Sequence, residues 1–251
     1  MPEPHRRAAL LGVSALLFAA SAAATVAWCR AMAGMGATPM PGGWTLAMTW
    51  LPMCGQTWAG AAASFVGMWA VMMVAMMLPS LLPVLWRHRL PLRASAAMGA
   101  GYFLVWILLG AIVFVLVATL AQAALQVPAV SRAAPLSLAG LVLLAGAYQF
   151  TAWKAHHLAC CRAQRAPTCT EATGAAWRHG VYLGLHCIVA CAGLTATLLA
   201  IGVMDLRAMA VVAAASTAER LAPAGERVAW AVGAVSLVTG VYLMAGAAWL
   251  A

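Results

Sequence analysis

Long apolar runs separated by short basic breaks are the feature that most limits how this chain can fold. Several of the runs exceed the roughly 18–20 residues needed to cross the hydrocarbon core of a bilayer. Only 8% of the 251 residues are charged and 65% are apolar, whereas a soluble domain carries about a quarter charged residues. The runs are rich in Ala, Leu, Gly and Met and do not alternate with polar residues, which argues against a β-barrel. The sequence predicts an all-α polytopic transmembrane helix bundle that forms one integral membrane domain over residues 1–251.

About seven spans are predicted, and the sixth is the shortest, at about 16 residues. The first run follows a short basic stretch and has no convincing cleavage site, so we interpret it as an uncleaved span. The predicted spans cover residues 8–28, 62–86, 95–121, 136–154, 177–201, 204–219 and 228–249.

Basic residues lie mostly on one side of these spans. If the N-terminus lies on the inner side of the membrane, eleven of the 14 Lys and Arg residues lie on that side. The three on the outer side are Arg30, Arg132 and Arg207. This bias predicts a cytoplasmic N-terminus. We expect the protein to be a multi-pass protein of a bacterial inner membrane. The net charge of +9 is therefore an orientation signal, so we expect the lipid bilayer as a partner and no nucleic acid. If the sixth segment only re-entered the membrane, Glu219 and Arg220 would lie outside, against the charge rule.

The second span carries five methionines within ten residues. Met68, Met72 and Met76 share one helix face, and Met73 and Met77 form an adjacent pair. Thioethers are soft neutral ligands that suit Cu(I). Methionine is also a common packing residue, so the pattern allows both interpretations.

The outer segment before this span is rich in sulfur and has no carboxylate, which argues against hard cations. It could capture a soft ion from outside or form an interfacial hydrophobic loop. Cys29 and Cys54 are both predicted outside, where a disulfide is permitted, and the sequence leaves that pairing open. The sulfur-bearing residues after Cys29 are Met32, Met35, Met40, Met48, Met53 and Cys54.

The longest inner loop gathers imidazole and thiol groups that suit Cu(I) or Zn²⁺. They are His156, His157, Cys160, Cys161 and Cys169. One helical turn separates His157 from Cys161, so both could face a single ion. Neighbouring cations at Lys154, Arg162 and Arg165 are expected to lower the thiol pKa values. An ordinary loop with idle thiols is the alternative.

The fifth span places His186, Cys187 and Cys191 near the middle of the membrane. Cys187 and Cys191 share a face, and an ionisable residue at this depth is a functional hypothesis in itself. Haem ligation by two histidines is not expected, because His186 has no facing intramembrane partner. The sequence contains no Ser/His/Asp set and no phosphate-binding glycine loop. A non-enzymatic role is therefore favoured, with an enzyme left open.

Three segments together resemble a family of metal-binding integral membrane proteins, the domain of unknown function 2182. The segments are MWAVMMVAMMLPS (68–80), AYQFTAWKAHHLACCRAQ (147–164) and GLHCIVACAGLTATLLAIGVMDLRAMAVVAAASTAERLAP (184–223). The resemblance implies metal binding and no established reaction. The positions that match the family pattern are Met76, Met77, Pro79, Lys154, His157, Cys161, Arg162, Cys187, Cys191, Gly202, Met204 and Glu219. His157 stands where the family has a cysteine, and Ala190 and Thr195 each replace a sulfur residue.

The leading hypothesis is a metal-binding membrane protein, with copper favoured and zinc or no metal as alternatives. It would transport metal or deliver it to a membrane enzyme. The second hypothesis is a non-catalytic accessory subunit in a membrane oxidoreductase complex, and the third is a thiol-redox protein. The predicted ligands are Met68, Met72, Met73, Met76, Met77, His156, His157, Cys160, Cys161, His186, Cys187, Cys191 and Glu219.

Overall fold

The computed structural model describes residues 3–33, 37–40, 44–52, 55–87, 90–163 and 173–250. These residues form eight α-helices and one two-stranded antiparallel hairpin. The helices are α1 (Glu3–Ala33), α2 (Trp58–Arg87), α3 (Leu92–Gln126), α4 (Pro128–Tyr148), α5 (Ala152–Ala163), α6 (Thr173–Ile201), α7 (Leu206–Leu221) and α8 (Gly225–Leu250). The hairpin consists of β1 (Ala37–Met40) and β2 (Trp44–Ala47), followed by a 3-10 turn at Met48–Trp50.

Six of the helices are long and apolar enough to cross a membrane, namely α1, α2, α3, α4, α6 and α8. This confirms the predicted all-α bundle and fits a multi-pass membrane protein. The predicted sixth span corresponds to α7, whose 16 residues make a helix about 24 Å long. It is shorter than the other six because Asp205 caps its start and Pro223 follows closely after its end.

The two ends of α7 nevertheless lie at opposite ends of the bundle. Just before α7, the thioether of Met204 contacts the thiol of Cys29, near the end of α1, at 3.9 Å. Near its last turn, Glu219 bonds Lys154 of α5. We call these the Cys29 end and the Lys154 end. A re-entrant turn would return to the end where it began, and α7 does not.

The segment predicted as one span at 136–154 is two helices. α4 begins earlier, at Pro128, because proline suits the first turn of a helix. It ends at Tyr148, and α5 begins after a short turn in which the hydroxyl of Thr151 accepts the backbone N–H of Lys154. That bond is a helix N-cap, so the chain starts a new helix there. Much of the predicted inner loop is therefore helical.

Small residues allow α3 and α6 to pack closely and in parallel. A side chain at Gly184 would meet the backbone carbonyl of Tyr102, and one at Gly180 would meet Met98. Gly180 and Gly184 form a Gly-x-x-x-Gly pair, and such small residues let helix backbones approach closely. The close approach also brings the Tyr102 ring to the face of α6 that carries Cys187.

The hairpin lies at the Cys29 end of the bundle. The indole N–H of Trp44 donates to the carbonyl of Ser131 in the first turn of α4, at 2.9 Å. Next to the hairpin, Trp50 stacks on Phe65 of α2, which in turn packs against Trp69 and Phe114. These rings fill the Cys29 half of the core, and the polar groups described next lie toward the Lys154 end.

Candidate metal centre

Two buried thiols on α6 form the centre of the site. The sulfur atoms of Cys187 and Cys191 are 4.0 Å apart, and both residues are almost fully buried, at 0% and 2% exposure. They are four residues apart and therefore share one face of the helix. The face was predicted from the sequence, and what lies opposite it was not.

Three other helices bring polar groups to Cys187. The hydroxyl of Tyr102 on α3 donates to the Cys187 sulfur at 2.9 Å. The guanidinium of Arg220 on α7 reaches the same sulfur at 3.3 Å and the Tyr102 oxygen at 3.1 Å. Its Nη1 also donates to the hydroxyl of Ser80 on α2 at 2.6 Å. Side chains from four helices are thus joined through the Cys187 sulfur and the Arg220 guanidinium.

The positive charge of Arg220 has no carboxylate partner among the described residues. The neighbouring acid, Glu219, is used elsewhere, because both of its oxygens accept bonds from the Lys154 ammonium at 2.8 and 2.9 Å. The Nε and Nη2 atoms of Arg220 are buried and have no hydrogen-bond partner in the described part of the chain. A buried charge without compensation is costly, so this position favours an anion beside Cys187.

The methionines of α2 are all buried in the bundle, at 4% exposure or less. Met68, Met72 and Met76 lie on one face, and the next position on that face is Ser80, the residue bonded to Arg220. Successive members are about 6 Å apart along the helix axis. We call Met68, Met72 and Met76 the methionine column. It ends beside the Cys187 cluster, by which we mean Cys187, Cys191, Tyr102, Arg220 and Ser80.

Helix α5 presents Lys154, Leu158 and Cys161 to the core. Burial raises the pKa of the Cys161 thiol to about 12, although the Arg220 guanidinium acts in the opposite direction. The expectation that nearby cations lower the thiol pKa values is therefore wrong for Cys161. Lys154 is bonded to Glu219, and Arg162 donates to the carbonyls of Glu219, Ala222 and Pro223 at the end of α7. Arg165 lies outside the described residues.

The histidines form a separate group at the Lys154 end. The rings of His157 and His186 are 4.9 Å apart, and His186 also packs on Tyr182. On the exposed side of α5, the His156 ring nitrogen is 3.7 Å from the Cys160 sulfur. Burial and the neighbouring imidazoles His186 and His156 lower the pKa of His157, which favours its neutral, ligating form. The Nδ1 atom of His157 has no hydrogen-bond partner within the described residues.

The predicted ligands therefore fall into three groups: Cys187 and Cys191 with the methionine column, the histidine group with Cys160, and Glu219 in its ion pair. The other predicted ligands are buried outside these groups, and they are Met73, Met77 and Cys161. Across the described ranges, His, Cys, Asp and Glu side chains nowhere gather in groups of three or more that could hold a metal ion. Cys169 and Cys54 lie outside the described residues, so the Cys29–Cys54 pairing that the sequence left open is not tested.

Sequence reasoning missed Arg220, Tyr102 and Ser80. The only sequence signal for Ser80 is its place four residues after Met76, on the face of the methionine column. Nothing local marks Tyr102 or Arg220, because both reach Cys187 through the packing of separate helices.

Comparison with known proteins agrees with a copper-related membrane protein. Neither curated proteins nor solved structures gave a match. One protein-family model does match, over residues 66–243, which covers the methionine column, α5, the Cys187 cluster and α7. The chain accordingly belongs to the PpoB2 family, described as a copper chaperone.

Proposed function

We propose that this protein is a membrane-embedded copper chaperone that holds Cu(I) as cargo between Cys187 and Cys191. It passes the ion to a membrane enzyme. The observation that carries the proposal is a pair of buried thiols, 4.0 Å apart, beside an arginine that has no carboxylate partner in the described chain. Membership of a copper chaperone family supports copper as the cargo.

The spacing of the two sulfurs suits one soft ion. A thiolate–metal bond of about 2.3 Å, the value for zinc, lets two sulfurs on one ion lie up to about 4.6 Å apart. The observed 4.0 Å is within that limit, so little movement of α6 is required. Structural zinc sites take four ligands in a tetrahedron. Only two thiols meet here among the described residues, which favours Cu(I) over Zn²⁺.

Charge balance gives Arg220 a role in the proposed site. When Cu(I) binds, each of the two thiols releases one proton and forms one sulfur–copper bond. The oxidation states of copper and sulfur do not change. The resulting copper bis-thiolate carries one negative charge, and the Arg220 guanidinium carries one positive charge. The pair is neutral, as a buried site in a bilayer requires, because isolated charge there is costly.

The test is Cu(I) titration of the purified protein in detergent, without oxygen, against a competing Cu(I) chelator. Cys187→Ser and Cys191→Ser should each lower Cu(I) affinity at least about tenfold, the loss that even an outer-sphere partner typically causes. Cys160→Ser is the matched control, because Cys160 is partly exposed and lies away from the pair. Unchanged affinity in both variants at Cys187 and Cys191 would disprove the proposed site.

We propose the methionine column as the path by which Cu(I) reaches this pair. Replacing Met68, Met72 and Met76 together by Leu removes the thioethers at little cost in volume. We expect slower loading of Cys187 and Cys191, measured by stopped-flow chelator competition, with the final affinity retained. Replacing Met98, a buried methionine on α3, by Leu is the control. Equal loading rates in the triple variant and the control would exclude the column as a path.

Delivery of Cu(I) requires a partner protein. A chaperone needs a recipient, so we propose a complex with a copper enzyme in the bacterial inner membrane. The accessory-subunit hypothesis then describes the same protein while it is bound to that enzyme. We also propose that the chain is related to the domain of unknown function 2182, which its motifs resemble.

A further inference from the structure

A cavity of about 180 Å³ lies at the Cys29 end of the bundle. Its walls come from α1, the segment after the hairpin, α2 and the turn between α6 and α7. Three of the lining residues are methionines on three different elements, Met32, Met68 and Met204. Met68 is also the first member of the methionine column, so the cavity opens onto the start of the proposed path.

A fourth sulfur joins this group. The Cys29 thiol, one helical turn before Met32 on α1, donates to the Met204 sulfur at 3.9 Å. Cys29 is buried and forms no disulfide bond with another described cysteine. Thus sulfur atoms from α1, α2 and the α6–α7 turn converge on one space.

The turn that carries Met204 is held in place by the backbone. Gly202 has a φ of +135°, a conformation that other residues rarely adopt. The backbone N–H of Asp205 bonds the Gly202 carbonyl at 3.1 Å. The Asp205 carboxylate accepts the N–H groups of Arg207 and Ala208 and so caps α7. Met204 is therefore held between two fixed points.

The side chains around the cavity favour soft ions. Its oxygen-bearing lining side chains, Thr49, Gln56 and Ser64, are neutral, and no carboxylate lines it in the described part of the chain. Protein sites for Ca²⁺ and Mg²⁺ are usually built with carboxylates. Thioether and thiol sulfur suit Cu(I). Neutral thioethers bind without losing a proton, so such a site would accept an ion and release it more readily than a bis-thiolate.

We propose that Met32, Met68, Met204 and Cys29 form an acceptance site for Cu(I), separate from the Cys187–Cys191 pair. Ser80, which is bonded to the same Arg220 nitrogen as Cys187, is twelve residues beyond Met68 on α2, or about 18 Å along the helix. The two sites are thus joined by the methionine column and too far apart to share one ion. This inference rests on the proposed function, since it assumes that Cu(I) is the cargo.

The test measures Cu(I) stoichiometry and affinity in the full-length protein by anaerobic chelator competition, with X-ray absorption to count sulfur neighbours. The variants are Met204→Leu combined with Met32→Leu, and Cys29→Ser alone. Met244→Leu on α8 is the matched control, because Met244 is partly buried and lies on none of the elements that line the cavity. A thermal unfolding measurement checks that each variant is folded. If the double variant is not folded, the single variant Met32→Leu replaces it.

The expected result is one fewer Cu(I) bound per chain in the double variant, and affinity at this site at least about tenfold lower in Cys29→Ser. The Cys187–Cys191 site should remain filled in both. Binding identical to that of Met244→Leu would overturn the acceptance site and leave the proposed function standing. If replacing Cys187 and Cys191 changes nothing but the double variant loses copper, the acceptance site stands and the proposed bis-thiolate site fails. No Cu(I) uptake by the unmodified protein would refute both.

Discussion

At the scale of single residues, Arg220 is the most unusual side chain in the protein. It is 6% exposed, and one of its nitrogens contacts a hydroxyl, a phenol and a thiol from three helices. A buried arginine is energetically costly, and in a membrane protein such residues usually pair with another group or mark a functional site. Its partner in the proposed function is the copper bis-thiolate.

Replacing Arg220 by Met should weaken Cu(I) binding, because the bis-thiolate would lose its counter-charge. Opposite unit charges about 4 Å apart interact by roughly 4 kcal/mol at an effective dielectric constant of 20, so a loss of at least about tenfold is expected. Arg220→Lys keeps the charge and should lose less. Chelator competition at several pH values measures both. A Met variant that binds as tightly as the unmodified protein would contradict the role of Arg220.

Cys161 should be far less reactive than Cys160 in the metal-free protein. Because burial raises the pKa of the Cys161 thiol to about 12, almost none of it is thiolate at pH 8, and the thiolate is the reactive form. Iodoacetamide labelling of Cys160→Ser and Cys161→Ser variants, followed by peptide mapping, compares the two sites. We expect labelling of α5 to be lost in Cys160→Ser and retained in Cys161→Ser. Rapid labelling of Cys161 at pH 8 would contradict the raised pKa.

The sign of the Cys161 effect on stability follows from the same shift. The folded thiol stays protonated to a higher pH than the unfolded one. Its contribution to stability is therefore complete below the ordinary thiol pKa of about 8.5 and is lost as pH rises from there toward about 12.

At the scale of elements, one ion pair joins α5 to α7. Lys154 and Glu219 are each 1% exposed and are bonded through both carboxylate oxygens. Nearby, Arg162 donates to three carbonyls at the C-terminus of α7, where a cation complements the helix dipole. These bonds hold α7 in the position from which Arg220 reaches Cys187.

Breaking the pair on one side should destabilise the protein more than removing it entirely. Lys154→Met alone or Glu219→Leu alone leaves one buried charge without its partner, a cost of about 3–5 kcal/mol. Lys154→Met combined with Glu219→Leu removes both charges and should recover much of that stability. Thermal unfolding of the four proteins in detergent completes the cycle. Additive losses in the double variant would show that the two residues do not interact.

Across the whole molecule, the seven longer helices alternate in direction between the Cys29 end and the Lys154 end, and the short helix α5 lies at the Lys154 end. If the positive-inside interpretation is right, the Cys29 end faces outward and the Lys154 end faces the cytoplasm. The acceptance site would then face the outside, and the histidine group would lie at the inner surface. The fold alone does not set this orientation, because both ends carry polar groups.

Single cysteines introduced at basic positions at the two ends test the orientation in intact cells. In a variant whose own cysteines are replaced by Ser, Arg30→Cys should react with a membrane-impermeant maleimide. Arg87→Cys should react only after the membrane is opened. Arg30 is exposed near the end of α1, and Arg87 is exposed at the end of α2, so both are reachable. The reverse labelling pattern would place the Cys29 end in the cytoplasm.

The sequence is enough to assign the class of fold, because the long apolar runs and the low charge leave a bundle of membrane-spanning helices as the available solution. It also determined that Met68, Met72 and Met76 share a face, as do Cys187 and Cys191, since residues four apart on a helix always do. The break at Thr151 was missed, because a cap of one hydrogen bond is a weak signal inside an apolar run.

The residues that these two helix faces contact became known only from the way the helices pack. Arg220 and Cys187 are 33 residues apart in the chain, and Tyr102 is 85 residues from Cys187. Met204 and Cys29 are separated by 175 residues, and their contact gave the Cys29 end its group of four sulfurs. The helical period determines which side chains lie on the same face of one helix. Contacts between distant helices depend on how small residues such as Gly184 let the backbones pack, and no local pattern records that.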